Sequence, residues 1–142
     1  MRYRATSTFF SLILAYCLGL TGCQTIHHFL DPSSDWQARS GQLLYKGKRT
    51  TLIGEVLIRF SKSGDFELTF SKGPGITLIE IRQDANYANI RGPLTRGSWS
   101  GPISQFPPRL QGWLQLRELL LASPNKPSVE HTAGPETFVF RF

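Results

Sequence analysis

Few side chains in this chain could do chemistry, and they are scattered. The 142 residues include two cysteines and three histidines. Cys17 sits inside an apolar run, and Cys23 follows that run in "LTGCQ" (20–24). A thiol flanked by small residues is a nucleophile that a modifying enzyme can reach. His27 and His28 are adjacent, while His131 stands far along the chain, so no second pair is placed to complete a zinc site. "GSWSG" (97–101) has the glycine spacing of a nucleophile elbow, but Trp99 occupies the place of the serine. "KGPG" (72–75) is too short for a phosphate-binding loop, and no helical pattern follows it. The carboxylates are spread out, mostly on expected outward faces. The chain is therefore not expected to be an enzyme, and no catalytic or metal-ligating residue is assigned.

The setting of Cys23 is the most specific signal. Arg2 and Arg4 open the chain, Phe9 to Leu20 form an uncharged apolar run, and small residues lead to Cys23. This is the order of a secretory signal. The run is well short of the roughly 20 residues that a membrane-spanning helix needs. Leu20-Thr21-Gly22-Cys23 resembles the lipobox of bacterial lipoproteins. The resemblance implies that the Cys23 thiol receives a diacylglycerol, that residues 1–22 are cut away, and that the new N-terminus gains an acyl chain. Covalent lipid is then the only cofactor expected. Several chains on one residue anchor far more firmly than one. Gln24, rather than Asp, follows the cysteine, which in that family favours the outer membrane.

A cut before Cys23 leaves residues 23–142, enough for one domain and a tether. The only remaining cysteine carries lipid, so no disulfide is available. Of 16 basic and 10 acidic residues the cut removes Arg2 and Arg4, leaving a net charge of about +4. The basic residues are dispersed, apart from a small cluster at Lys46, Lys48 and Arg49. That distribution argues against nucleic acid. It fits a mild attraction to anionic lipid or cell-wall polymer.

The elements that must position any site are mostly strands. Residues 23–36 read as a tether, with Asp31-Pro32-Ser33-Ser34 as loop chemistry. Strand patterns follow at 41–45, 49–61, 65–71, 76–82, 87–92 and 95–101, separated by turn residues. In "DFELTFS" Phe66, Leu68 and Phe70 alternate with polar residues, as a half-buried strand requires. Gly54 interrupts the longest run, where it would let the strand bend. Near 108–121 the period changes. Leu110, Trp113, Leu114, Arg117 and Leu121 share one side, with Leu116 and Leu120 beside them, as in a helix. Gly112 weakens that helix. Residues 122–136 read as loop and "TFVFRF" (137–142) as a last strand. The expected fold is mainly β: a curved antiparallel sheet or incomplete barrel of about six to seven strands with one packed helix, in a single domain over 37–142.

Two stretches, "SKSGDFELTFSKGPGITLIEI" (61–81) and "PPRLQGWLQL" (107–116), resemble the outer-membrane lipoprotein receptor LolB and the periplasmic carrier LolA. The resemblance implies a half barrel whose apolar interior holds acyl chains, with Val56, Ile58, Phe60, Phe66, Leu68, Phe70, Leu78, Trp113 and Leu114 as its lining. It also implies a membrane- or cargo-facing loop at Lys72, Gly73, Pro74 and Gly75. The receptor has an exposed Leu in that loop, and Pro74 stands at the matching position here. The expected partners are thus the membrane, through the anchor, and lipid or lipoprotein cargo. The other reading is a structural or interaction lipoprotein of the cell envelope with a filled core and no ligand cavity. Its contacts with another envelope protein would use Trp99, Tyr87 and Arg96. On either reading the expected place is the periplasmic face of the outer membrane. An apolar void would favour the first reading and a packed interior the second.

Overall fold

The computed structural model describes residues 26–142. Cys23 and the apolar run before it lie outside these residues. Strands β1 (Gln37–Lys46), β2 (Thr51–Phe60), β3 (Phe66–Ser71), β4 (Thr77–Gln83), β5 (Tyr87–Arg91) and β6 (Trp99–Pro102) follow one another. Helix α1 (Gln111–Leu121) comes next, then β7 (Ser128–Ala133) and β8 (Glu136–Arg141). The eight strands form one antiparallel sheet in the order β6-β5-β4-β3-β2-β1-β8-β7, and β6 and β7 do not pair to close it. The expected architecture is present. The long last connection carries the chain across the sheet, so β8 pairs with the other side of β1.

Period-two alternation decides which side is buried. Val56, Ile58 and Phe60 face inward from β2, opposite Phe70, Leu68 and Phe66 of β3. Ile79 and Ile81 continue the layer on β4, Ile90 on β5, and Leu43, Phe138 and Phe140 on β1 and β8. α1 covers this face with Trp113, Leu114, Leu116 and Leu120. A proline-led 3-10 turn (Pro108–Leu110) feeds the helix, so its regular part starts later than the sequence pattern implied.

Two boundaries and the role of one glycine differ from expectation. Residues 128–133, read as loop, form β7 and pair with β8 through a tight turn at Gly134 (φ 57°). "SVEHTA" alternates, but only Val129 on it is apolar and buried, so the edge strand leaves little hydrophobic signal. The sixth strand begins at Trp99 rather than residue 95. Pro93–Thr95 form a 3-10 turn, and Arg96 (φ 53°) and Gly97 (φ 128°) are left-handed, which ends extended pairing there. Gly54 serves close approach more than bending. A Cβ on it would lie 2.2 Å from the Ser71 carbonyl oxygen, beside the bulge at Phe70/Ser71.

The sheet has two ends. At one, the β1–β2, β3–β4 and β7–β8 turns meet the β5–β6 connection. At the other are the β2–β3 turn (61–65) and the β4–β5 turn (84–86).

Candidate functional site

Eight of the nine residues expected to line an acyl cavity lie in the buried core. Val56, Ile58, Phe60, Phe66, Leu68 and Phe70 face α1, whose Trp113 and Leu114 meet them. The Trp113 indole packs edge-on to Phe138 at 4.8 Å and lies 5.0 Å from the Tyr45 ring. Leu78 departs from the expectation. It is half-buried, and alternation on β4 gives the inner positions to Ile79, Ile81 and Gln83. The run "ITLIEIR" is apolar at successive positions, so its sequence left the facing ambiguous. The register shifts inside this run, where Phe70 pairs with Ile79 and Ser71 with Thr77, so that Leu78 is the extra residue.

The larger cavity is elsewhere. A half-open groove of about 960 Å³ lies at the sheet end that gathers the β1–β2 and β7–β8 turns. Lys48 and Arg49 stand on the β1–β2 turn, Arg96 follows the turn after β5, and Arg109 sits in the turn that opens α1. Thr50, Gln111, Gln115 and Thr132 add amide and hydroxyl groups. Glu136 is the acidic residue of the lining. Its carboxylate accepts a 2.7 Å hydrogen bond from the Tyr45 hydroxyl. Burial first, and then that carboxylate, push the Tyr45 phenol well above its ordinary value. Among the described residues, the four cations form no ion pair and no side-chain hydrogen bond. A smaller recess of about 190 Å³ beside the groove reaches inward to Leu110 and Trp113.

The expected loop Lys72–Gly75 is fully exposed at the same end of the sheet. Gly73 (φ 67°) and Gly75 (φ 82°) supply the left-handed positions of its turn. Ile76, directly after it, is 56% exposed. The "GD" of the β2–β3 turn has a structural task. Asp65 accepts hydrogen bonds from the Ser61 and Ser63 hydroxyls, while the Gly64 carbonyl accepts one at 2.9 Å from the buried Arg117 of α1. This ties the helix to the turn.

The stretch read as a tether lies against the outer face of β4 and β5. His27 contacts Asp84 at 2.6 Å and stacks on Tyr87 at 4.3 Å between ring centres. Arg82 donates to the Leu30 carbonyl and pairs with Glu67 at 3.0 Å. Burial pushes the Asp84 carboxyl up, but the Asn86 and Tyr87 backbone N–H groups and His27 outweigh it, so its pKa is lowered overall. Tyr87, nominated as a contact residue, is thus engaged by His27. Trp99 packs partly against the core, and Arg96 is exposed in the groove. Among the described residues no three His, Cys, Asp or Glu gather to hold a metal ion.

Sequence reading found Lys48, Arg49 and Arg96 separately and missed Arg109. Lys48 and Arg49 share the β1–β2 turn, while Arg96 and Arg109 each stand singly beside a Gly or Pro in two other connections. Only the tertiary convergence of those turns makes them one surface. No protein-family model matches the chain, and no curated protein matches it.

Proposed function

We propose that the chain is a lipid-anchored protein of the bacterial envelope, held at the outer membrane by acyl chains on Cys23, and that its domain works as a binding module through its surface. The Leu20–Cys23 stretch supports the anchor. The observation that carries the surface reading is the filled inner face: eight of the nine positions nominated for an acyl cavity are core beneath α1. An acyl carrier needs spare apolar volume, and the larger cavity is polar and lies at the sheet end instead.

Carriage of acyl chains, as in the LolB and LolA group, is the second reading. It is favoured by Ile76, exposed beside the Lys72–Gly75 turn, where an apolar side chain could engage a membrane or cargo.

Intact-mass and native mass spectrometry of the full chain made in a Gram-negative host, extracted in mild detergent, tests both. The expected result is a lipidated species beginning at Cys23, lost in Cys23→Ser, with no second lipid bound. A co-purified lipid or acylated peptide, released by Phe70→Glu in a still-folded domain, would favour carriage. An unmodified Cys23 would remove the anchor.

A further inference from the structure

The end groove brings together features that separate roles in the sheet do not require. Four cations from three connections line one concave surface against a single carboxylate. Exposed Lys and Arg usually point apart or pair with acidic neighbours, as Arg59, Arg82 and Arg91 do on the outer face. Here, among the described residues, none is paired. The Glu136 carboxylate is held by Tyr45, away from its full availability to the cations. Arg96 is the only non-glycine described residue with positive φ, so the chain places this side chain through a conformation that L residues seldom adopt. The start of α1 has no acidic side chain of its own in the first turn, and the Glu136 carboxylate is the one acidic group of the groove that lies against it, at Gly112.

Size and lining narrow the ligand. A volume of about 960 Å³ is far more than one phosphate occupies and suits a ligand of disaccharide scale. The cations come from separate connections, Lys48 and Arg49 on one turn, Arg96 and Arg109 on two others. A ligand that pairs with cations of more than one connection carries at least two anionic groups. Between them Thr50, Gln111, Gln115 and Thr132 offer donors and acceptors for hydroxyls. Single-stranded nucleic acid fits poorly, because it stacks its bases on aromatic faces and the groove has only Tyr45, which is 8% exposed and bonded to Glu136. An acyl chain fits poorly because the lining is polar and charged.

The topology also says which side the ligand comes from. The described chain begins at the β4–β5 end of the sheet, where His27 meets Asp84. The groove is at the opposite end. The ten residues of β2 separate the two ends by roughly 30 Å at ~3.3 Å per residue. With an anchor at Cys23, the groove opens away from the lipid that holds the protein.

We infer that the groove lined by Lys48, Arg49, Arg96 and Arg109 binds a saccharide bearing two or more phosphate groups, presented from the aqueous or cell-wall side and not as a headgroup of the anchoring leaflet. This deepens the surface-binding reading and rests on it.

Calorimetric titration of the full chain in mild non-ionic detergent tests the inference, with glucose 1,6-bisphosphate as the probe and glucose and pyrophosphate as controls. Binding of the bisphosphate, weakened by salt and by at least roughly tenfold in Arg96→Gln/Arg109→Gln, supports it. Lys48→Gln/Arg49→Gln on the β1–β2 turn should give a similar loss, and Arg141→Gln, outside the groove, should leave affinity unchanged. Circular dichroism checks that each variant is folded. No binding, equal loss in Arg141→Gln, or pyrophosphate binding as tightly as the sugar would overturn the inference. So would binding confined to vesicles that carry a phosphorylated glucosamine lipid, with none of the soluble sugar. The status of Cys23 and of the core is read separately by mass, so a failed anchor and an empty groove give different results.

Discussion

Tyr45 links the core to the groove. Its ring packs on Trp113 and Phe138, while its hydroxyl donates to Glu136 at the groove's edge. The phenol is buried, and its partner is an acceptor only while Tyr45 keeps its proton. Both effects favour the neutral form in the folded chain, so the folded-state pKa is raised above the ordinary value of 10.0. The stability this gives is fully present below about pH 10 and is lost as pH climbs above it toward the folded-state value. Tyr45→Phe removes both the hydrogen bond and the titration. We expect it to cost about 1 kcal/mol near neutral pH, since a half-exposed carboxylate recovers part of its solvation. The gap between wild type and variant should narrow as pH rises above 10, as urea titrations at neutral and alkaline pH will show. A gap that stays constant would mean that the hydroxyl does not depend on Glu136.

Helix α1 shows how an element can be legible while the reason for its residues is not. The apolar spacing of Trp113, Leu114, Leu116 and Leu120 announced the helix and its buried face. Gly112 read only as a weakness. In the structure it allows close approach: a Cβ there would sit 2.6 Å from Glu136 Oε2, 3.0 Å from Phe138 Cε2 and 3.2 Å from the Ala133 Cβ. Replacing Gly by Ala normally favours a helix by about 1 kcal/mol. Overpacking at a tight contact costs roughly 1–3 kcal/mol. We expect the second to win, so that Gly112→Ala lowers stability by about 1 kcal/mol in denaturant titration. A stabilised variant would show that the β7–β8 hairpin yields without strain. The strands follow the same rule. Those with clean alternation, such as Phe66–Phe70, could be read with their facing, because period two encodes both. β7 could not, since an edge strand with one buried apolar residue resembles a loop. The facing of Leu78 against Ile79 depended on a bulge that no local pattern marks. The groove was the least legible part, because its cations come together only when the β1–β2 turn, the β5–β6 connection and the turn before α1 converge at one end of the sheet.

The whole molecule has a direction. Residues 27–31 run along β4 and β5, fastened by His27 to Asp84 and by Leu30 and Asp31 to Arg82. The residues between Cys23 and His27 can reach at most about 14 Å. On the proposed anchoring, a lipid on Cys23 would hold the β4–β5 end near the membrane, with the groove facing away from it. Exposed positions at the two ends make this measurable. Lys62 lies on the β2–β3 turn, at the same end as the β4–β5 turn, and Lys48 lies on the β1–β2 turn at the groove. A fluorophore on Lys62→Cys in the lipidated chain, in vesicles containing spin-labelled lipid, should be quenched more strongly than one on Lys48→Cys. Asp84→Asn removes the negative charge that faces His27 and puts an amide N–H in place of the carboxylate oxygen it contacts, and should reduce the difference by loosening the docked segment. Lowering the pH should act in the same direction. The folded state holds the Asp84 carboxyl below its ordinary 3.8, so its contribution is kept above that value and lost as pH falls further. Quenching at Lys48→Cys equal to or greater than that at Lys62→Cys would place the groove against the bilayer, and its ligand would then have to be sought among the headgroups there.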